Sequence, residues 1–407
     1  MTTRRDVLSL FGVGAVAALA GCHAEPPAVP VGVPDLVLVR AEGGLTVLRP
    51  SGVERIGAGL PTPDGMTVYT TASAGVDTEL TAVETRTGRR TAGPRLAGAW
   101  TPRVVSADGR LVALAAPGSG EVTHVPSGRV RTPLVVADTS REVARLELAG
   151  NIVPDAFSTG GERLFVLDWL PATAPDRYRV RQVELATGQS AALLTRVKSP
   201  VPPGAEEEMS GEGRMAVYAP NRQVLYTLYT HQPDHRHTRD LIAGRPGNVH
   251  AFVHTLHLGE QWAFCVDLPA PFGQGPGAGH ALAITPEGGE FYVADVTSGR
   301  FAVVGTEGLS VQETREGTKG SGTAYAAATF RQVLVAVGST VHALPRDAAP
   351  VWRSWDAGGV VRGLGASPDG KRVYAALPDA VAWFDAATGQ RLGSVAVPGV
   401  SSLDRVL

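Results

Sequence analysis

One repeated unit limits the folds open to this chain more than any other feature. Its clearest copy reads Gly363-Leu364-Gly365-Ala366-Ser367-Pro368-Asp369-Gly370-Lys371-Arg372-Val373-Tyr374, then Ala380-Val381-Ala382-Trp383-Phe384-Asp385-Ala386-Ala387-Thr388-Gly389. Asp369-Gly370 suits a tight turn with positive φ. The runs 373–377 and 381–385 are short and rich in strand formers. Thr388-Gly389 turns the chain into a fourth strand over 391–397. Related units start at Thr62-Pro63-Asp64-Gly65, Ser106-Ala107-Asp108-Gly109, Ser158-Thr159-Gly160-Gly161 and Thr285-Pro286-Glu287-Gly288-Gly289. More degenerate copies span 216–268 and 324–356. A unit of four short strands cannot bury both of its faces alone, so it must stack on its neighbours.

Ser367-Pro368-Asp369-Gly370-Lys371-Arg372-Val373-Tyr374, followed by a strand ending Asp385-Ala386-Ala387-Thr388-Gly389, resembles the YVTN-type repeat of bacterial surface propellers. The match is good over 363–397, fair over 60–97 and 154–196, and weak elsewhere. The resemblance implies an all-β fold, a β-propeller of four-stranded blades, and specifies no activity. The lone Trp355-Asp356 lacks the other positions of a WD40 signature. Seven full units fit between 60 and 399, the segment 35–58 supplies three more strands, and 402–407 supplies a fourth. The expectation is eight blades, with seven the rival count, closed by pairing of the N- and C-terminal strands so that no edge stays open.

Strand parity then sorts the loops. With strands A to D running from the axis outward, A–B and C–D turns share one face. B–C turns and D-to-A links share the other. The Asp-Gly and Gly-Gly turns are all A–B turns and all short. The long segments 170–176, 197–212, 231–248 and 268–279 all belong to the second class. Loops on a rigid scaffold are where binding usually resides.

The N-terminus points to export. Met1-Thr2-Thr3-Arg4-Arg5-Asp6 precedes an apolar run over 7–21. That run is too short to span a bilayer core of about 30 Å comfortably, and its position and basic start describe an export signal. Thr3-Arg4-Arg5-Asp6-Val7-Leu8 resembles a twin-arginine signal. Leu19-Ala20-Gly21-Cys22 resembles the bacterial lipobox, which implies a signal peptide over 1–21, a lipidated Cys22 and anchoring to the extracytoplasmic face of the cell membrane. Residues 22–34 carry four prolines and read as an extended tether, with the propeller occupying 35–407. Of the two cysteines, lipidation of Cys22 leaves Cys265 without a disulfide partner; it sits in an apolar strand-like run and reads as a buried small hydrophobe. Arg supplies 34 of the 37 basic residues, a bias typical of GC-rich bacterial genomes. A net charge of −2 argues against a nucleic-acid partner, which would need a basic face.

Six of the ten histidines lie between 231 and 257. His231, Asp234, His235, His237, His250 and His254 are the candidate ligand-binding residues, and His231, His235, His237, Asp234 and Asp240 the candidate metal ligands. Neutral imidazole with a carboxylate suits a divalent transition metal such as zinc or copper. The spacing fits no named metal signature. Glu206-Glu207-Glu208 is acidic and could attract a cation, with a solvated loop the preferred reading. The Gly-rich runs 273–279 and 317–322 lack P-loop spacing, and no Gly-x-Ser-x-Gly elbow is present.

These features favour a cell-envelope lipoprotein that binds an envelope protein, a glycan or a small molecule through 197–212, 231–248 and 268–279. The alternative is a propeller enzyme, either a metal-assisted hydrolase or lactonase or a quinoprotein-like oxidoreductase, using the His-rich face. No catalytic residue can be named from the sequence.

Overall fold

A computed structural model describes residues 32–117, 125–210, 214–247, 249–346 and 352–407. The expected signal peptide, Cys22 and the expected tether up to residue 31 lie outside the described residues, as do 211–212 and 248 in two of the long loops.

The recurring A–B turn has a local physical cause. In Ser367-Pro368-Asp369-Gly370, the Ser367 hydroxyl donates to Asp369 Oδ1 at 2.6 Å, and the same carboxylate oxygen accepts the Lys371 N–H at 3.0 Å. Gly370 takes a φ of 69°, where a side chain would strain the backbone. The Arg372 N–H donates back to Ser367 Oγ at 2.9 Å and starts the next strand. Ser106, Asp108 and Gly109 repeat this arrangement.

The described residues build eight four-stranded antiparallel blades in a ring. Blade 2 runs from Gly59 to Leu96, blade 3 from Thr101 to Ala149 and blade 4 from Asn151 to Ala192. Blade 5 comprises Met215–Ala219, Val224–Tyr229, Phe252–His257 and Trp262–Asp267 as strands A to D. Blades 6, 7 and 8 follow over 280–316, 324–356 and 363–396. Middle strands such as Val112–Ala115 are buried on both faces, A strands such as Ser402–Val406 are mostly half-buried, and D strands such as Glu142–Ala149 are largely exposed. The cores therefore lie between neighbouring blades. Val153, Phe165, Leu167 and Tyr178 of blade 4 pack on Phe252 and Leu256 of blade 5 in one such core.

Blade 1 closes the ring. Val37–Ala41, Gly44–Arg49 and Gly52–Gly57 are joined on the axial side by Ser402–Val406, the last strand of the chain. Leu36 and Leu407 exchange backbone hydrogen bonds at 3.1 and 2.8 Å. Arg372 of blade 8 grips the Asp35 carboxylate with two hydrogen bonds of 2.7 and 2.9 Å, and Tyr374 adds a third at 2.6 Å. A Cβ at Gly363 would collide with the Leu403 backbone, so glycine there lets blade 8 approach the closing strand. Val33, in the segment read as tether, is buried with Val397 and Val400. The chain thus packs on the propeller from that residue onward.

All four long segments are B–C turns or D-to-A links, as parity requires. Segment 170–176 joins strands B and C of blade 4, 193–214 links blade 4 to blade 5, 230–251 joins B and C of blade 5, and 268–279 links blade 5 to blade 6. They also touch. Ser210 donates its N–H to Gln232 Oε1 at 2.9 Å, and His231 donates its N–H to the Gly273 carbonyl at 3.2 Å.

Asp35→Ala leaves the Arg372 guanidinium and the Tyr374 hydroxyl without their shared acceptor. The expected loss is about 1–3 kcal/mol in chemical denaturation, with the fold retained. A change under about 0.5 kcal/mol would mean that closure rests on the strand pairing alone.

Candidate functional site

Three segments converge beside the outer part of the blade 4–blade 5 interface. Strand C of blade 5 alternates, so Phe252, His254 and Leu256 share the side that packs on blade 4. The C–D register sets His254 opposite Cys265 and Phe252 opposite Asp267. Cys265 and Asp267, two apart on strand D, therefore flank His254 on the same side.

The B–C connection brings in His235 and His237. His235 bridges to Val249, and its ring stacks on Phe252 at 4.4 Å between centroids. His237 precedes the helix Thr238–Ala243 and caps its start. Its N–H donates to Asp240 Oδ2 at 3.3 Å. Gly244 ends the helix in the left-handed conformation, with a φ of 62°, as helix C-termini commonly require.

The third segment is the link from blade 4. Met209 and Tyr178 exchange backbone hydrogen bonds of 2.7 and 3.0 Å, which holds 206–208 extended along blade 4. Alternation then splits the three glutamates. Glu206 meets Arg181 at 3.1 Å and Glu208 meets Arg177 at 2.6 Å, both on blade 4. Glu207 turns the other way, into blade 5, and only 12% of its side chain is exposed.

Glu207 is the hub. Its Oε2 lies 3.1 Å from His237 Nδ1 and 3.6 Å from His235 Nε2, and its Oε1 lies 3.7 Å from His254 Nε2. Cys265 Sγ is 3.4 and 3.5 Å from the two carboxylate oxygens. The other ring nitrogen of His237 lies 2.6 Å from Asp267 Oδ1, and Asp267 is clamped by Arg239 at 2.6 Å. The ligand atoms of Glu207, His237 and Cys265 lie within 4.8 Å of one another, a candidate metal-binding triad.

Burial alone would raise the Glu207 carboxyl, but the surrounding His235, His237 and His254 overcome it and hold the group well below the usual carboxylate range. Burial would lower the His237 imidazole, and the two carboxylates on either side raise it instead. Burial lowers His254. Cys265 is pushed well above its ordinary value by burial and by the Glu207 charge, so with no cation beside it the group is a thiol.

Glu207, His237, His254 and Cys265 form one end of a cavity of about 510 Å³. Val180, Leu193, Val197, Pro200, Met209 and Phe264 line the rest. Arg196 and Arg239 lie over the Phe264 ring, 5.2 and 5.3 Å from its centroid, close enough for cation–π attraction. Leu194–Thr195 adds a fifth, parallel strand outside strand D and contributes to the cavity lining.

Of the residues singled out from sequence, His235, His237 and His254 come together around Glu207. His231 does not join them; its Nδ1 pairs with Thr230 Oγ1 at 3.0 Å. His250 and Asp234 are exposed, and Asp234 sits in a turn with a φ of 56°. Asp240 caps the helix and pairs with Arg245 at 2.9 Å, away from the cluster. Glu207, Cys265 and Asp267 are not among the expected site residues. Glu207 belongs to no solvated loop, and Cys265 is buried yet faces polar groups. The visible signal for the last two is their spacing on a strand next to a histidine-bearing one.

No protein-family model matches this chain, and no curated protein matches it in sequence. Solved structures do resemble it. Sqt1 of Saccharomyces cerevisiae has a TM-score of 0.51 at 12% identity, covering 84% of this chain and 86% of that one. The dihydro-heme d1 dehydrogenase NirN has a TM-score of 0.49 at 14% identity, covering 91% and 75%. The likeness is one of fold. At these identities the β-propeller is what the chains share.

A buried ion pair supports the same interface. Arg214, just before blade 5, donates to Asp155 of blade 4 at 2.6 Å, with side chains 11% and 6% exposed. Arg214→Met strands the Asp155 charge and is expected to cost about 3–5 kcal/mol. The double variant Arg214→Met/Asp155→Leu should recover most of that loss. Equal denaturation midpoints for single and double variants would show that the pair does not act as a unit.

Proposed function

We propose that this chain is an exported, lipid-anchored β-propeller of the YVTN-repeat kind that captures a small, largely apolar ligand in the cavity between blades 4 and 5. The observation that carries the reading is the cavity itself. Apolar side chains wall it, and four polar groups, Glu207, His237, His254 and Cys265, gather at one end. That division, an apolar body with a few convergent polar groups, is how small-molecule sites combine affinity with orientation. The site is built from two of the segments expected to form a binding face, 197–212 and 231–248. The third, 268–279, braces the B–C connection through Gly273.

Anchoring rests on residues 1–34: the Arg4-Arg5 start, the short apolar run, the Leu19–Cys22 sequence and the proline-rich tether. A tethered propeller would present the cavity to the periplasm or cell exterior while remaining at the membrane surface.

Two measurements test the two halves separately. The fluorescent probe 8-anilinonaphthalene-1-sulfonate has an apolar body and one anionic group, which suits the apolar walls and the Arg196 and Arg239 rim. It should bind at one site per chain, and Ala263→Trp, which fills the cavity, should abolish that binding without unfolding the protein. Unchanged probe binding in the filled variant would refute the pocket. For the anchor, Cys22→Ser should move the protein from the membrane fraction to the soluble fraction of its host. Retention of that variant in the membrane would refute lipidation at this residue.

A further inference from the structure

We propose that Glu207, His237 and Cys265 form a zinc centre at the polar end of the cavity, with one coordination position open toward it. The centre shares the cavity with the ligand reading but does not depend on it, because the metal can be held whether or not a ligand enters.

The donor spacing is the first support. A tetrahedral ion with bonds of about 2.0–2.3 Å sets its ligand atoms roughly 3.3–3.6 Å apart. Around Glu207 the observed separations are 3.1 Å to His237 Nδ1, 3.4 and 3.5 Å to Cys265 Sγ, 3.6 Å to His235 Nε2 and 3.7 Å to His254 Nε2. His235 and His254 approach opposite oxygens of the same carboxylate from outside the triad.

Second, His235 Nε2 is buried and has no hydrogen-bond partner, on a side chain only 4% exposed. It points at the Glu207 carboxylate from beyond hydrogen-bond distance. Buried polar atoms are rarely left this way, and a hydrated cation on the carboxylate would offer this one a partner.

Third, the support behind His237 is that of a metal ligand. One ring nitrogen faces the cluster while the other meets Asp267 at 2.6 Å, and Arg239 fixes that carboxylate in turn. Donation of the far N–H to a carboxylate sets the tautomer of a ligating histidine and raises its basicity.

Chemistry selects the ion. One thiolate, one carboxylate and one imidazole favour a borderline-soft cation over magnesium or calcium, which take oxygen donors. With thiolate and carboxylate each carrying one negative charge, a divalent ion leaves the centre neutral. Binding releases to solvent the Cys265 thiol proton and the proton His237 Nδ1 holds toward Glu207, while His237 keeps the proton it shares with Asp267. Three protein ligands and an open position facing a cavity is the arrangement of zinc sites that exchange their fourth ligand.

The test uses the full chain without a histidine tag, carrying Cys22→Ser so that Cys265 is the sole thiol. After dialysis against zinc, the expected content is one ion per chain by elemental analysis. Titration of the metal-free protein with cobalt should produce the intense visible bands of tetrahedral coordination and a sulfur-to-cobalt charge-transfer band. Cys265→Ser and His237→Ala should abolish both signals, and Asp267→Asn should weaken binding by roughly 10–100-fold. His250→Ala, an exposed histidine outside the cluster, should leave them unchanged. Absence of bound zinc, or cobalt spectra without a charge-transfer band in the Cys22→Ser protein, overturns the proposal. The cobalt spectrum needs no cluster variant, so misfolding of Cys265→Ser or His237→Ala cannot obscure the outcome.

Discussion

Closure of the ring is the constraint on which everything else hangs. Each blade buries its faces only against its neighbours, so an open ring would leave two apolar blade faces in water. The chain removes that cost by placing its last strand inside its first three. Val37–Ala41 and Ser402–Val406 are paired across nearly the whole chain, and the Asp35–Arg372–Tyr374 contacts tie blade 1 to blade 8. Order at one interface is therefore felt around the ring, and the position of any loop is set by a closed frame rather than by its own sequence.

That frame explains why a site arises between blades 4 and 5. On one face the A–B turns are short. On the other face, the link after blade 4 is long enough to lay a fifth strand outside blade 5 and then run back along blade 4. Alternation along its extended stretch gives Glu206 and Glu208 to blade 4 arginines and sends Glu207 inward. A buried carboxylate is tolerated only with partners, and blade 5 supplies three histidines and a cysteine. The charges of Arg214 and Asp155 are compensated in the same interface.

The fold was legible in the sequence because its signals are local. The Ser-x-Asp-Gly turn, the Thr-Gly turn and the short strands each lie within a dozen residues, and the arithmetic of strands predicted the closing role of Ser402–Val406. Loop parity followed from antiparallel pairing alone. The site was only half legible. The histidines could be seen as a cluster, but His237 meets Glu207 and Asp267 each 30 residues away, and Cys265 meets Glu207 from 58. Asp234 and Asp240 looked like metal ligands because they are near in sequence, yet a turn and a helix start claim them first. Three consecutive glutamates read as solvated because no sequence rule says which one an extended link will turn inward.

The proposed zinc ion, bonded through Cys265, belongs where these segments meet. X-ray absorption at the zinc edge of the untagged protein examines it most directly. One sulfur scatterer is expected at about 2.3 Å, with nitrogen and oxygen scatterers at about 2.0–2.2 Å. A first shell of nitrogen and oxygen alone, with no sulfur, would contradict the proposal.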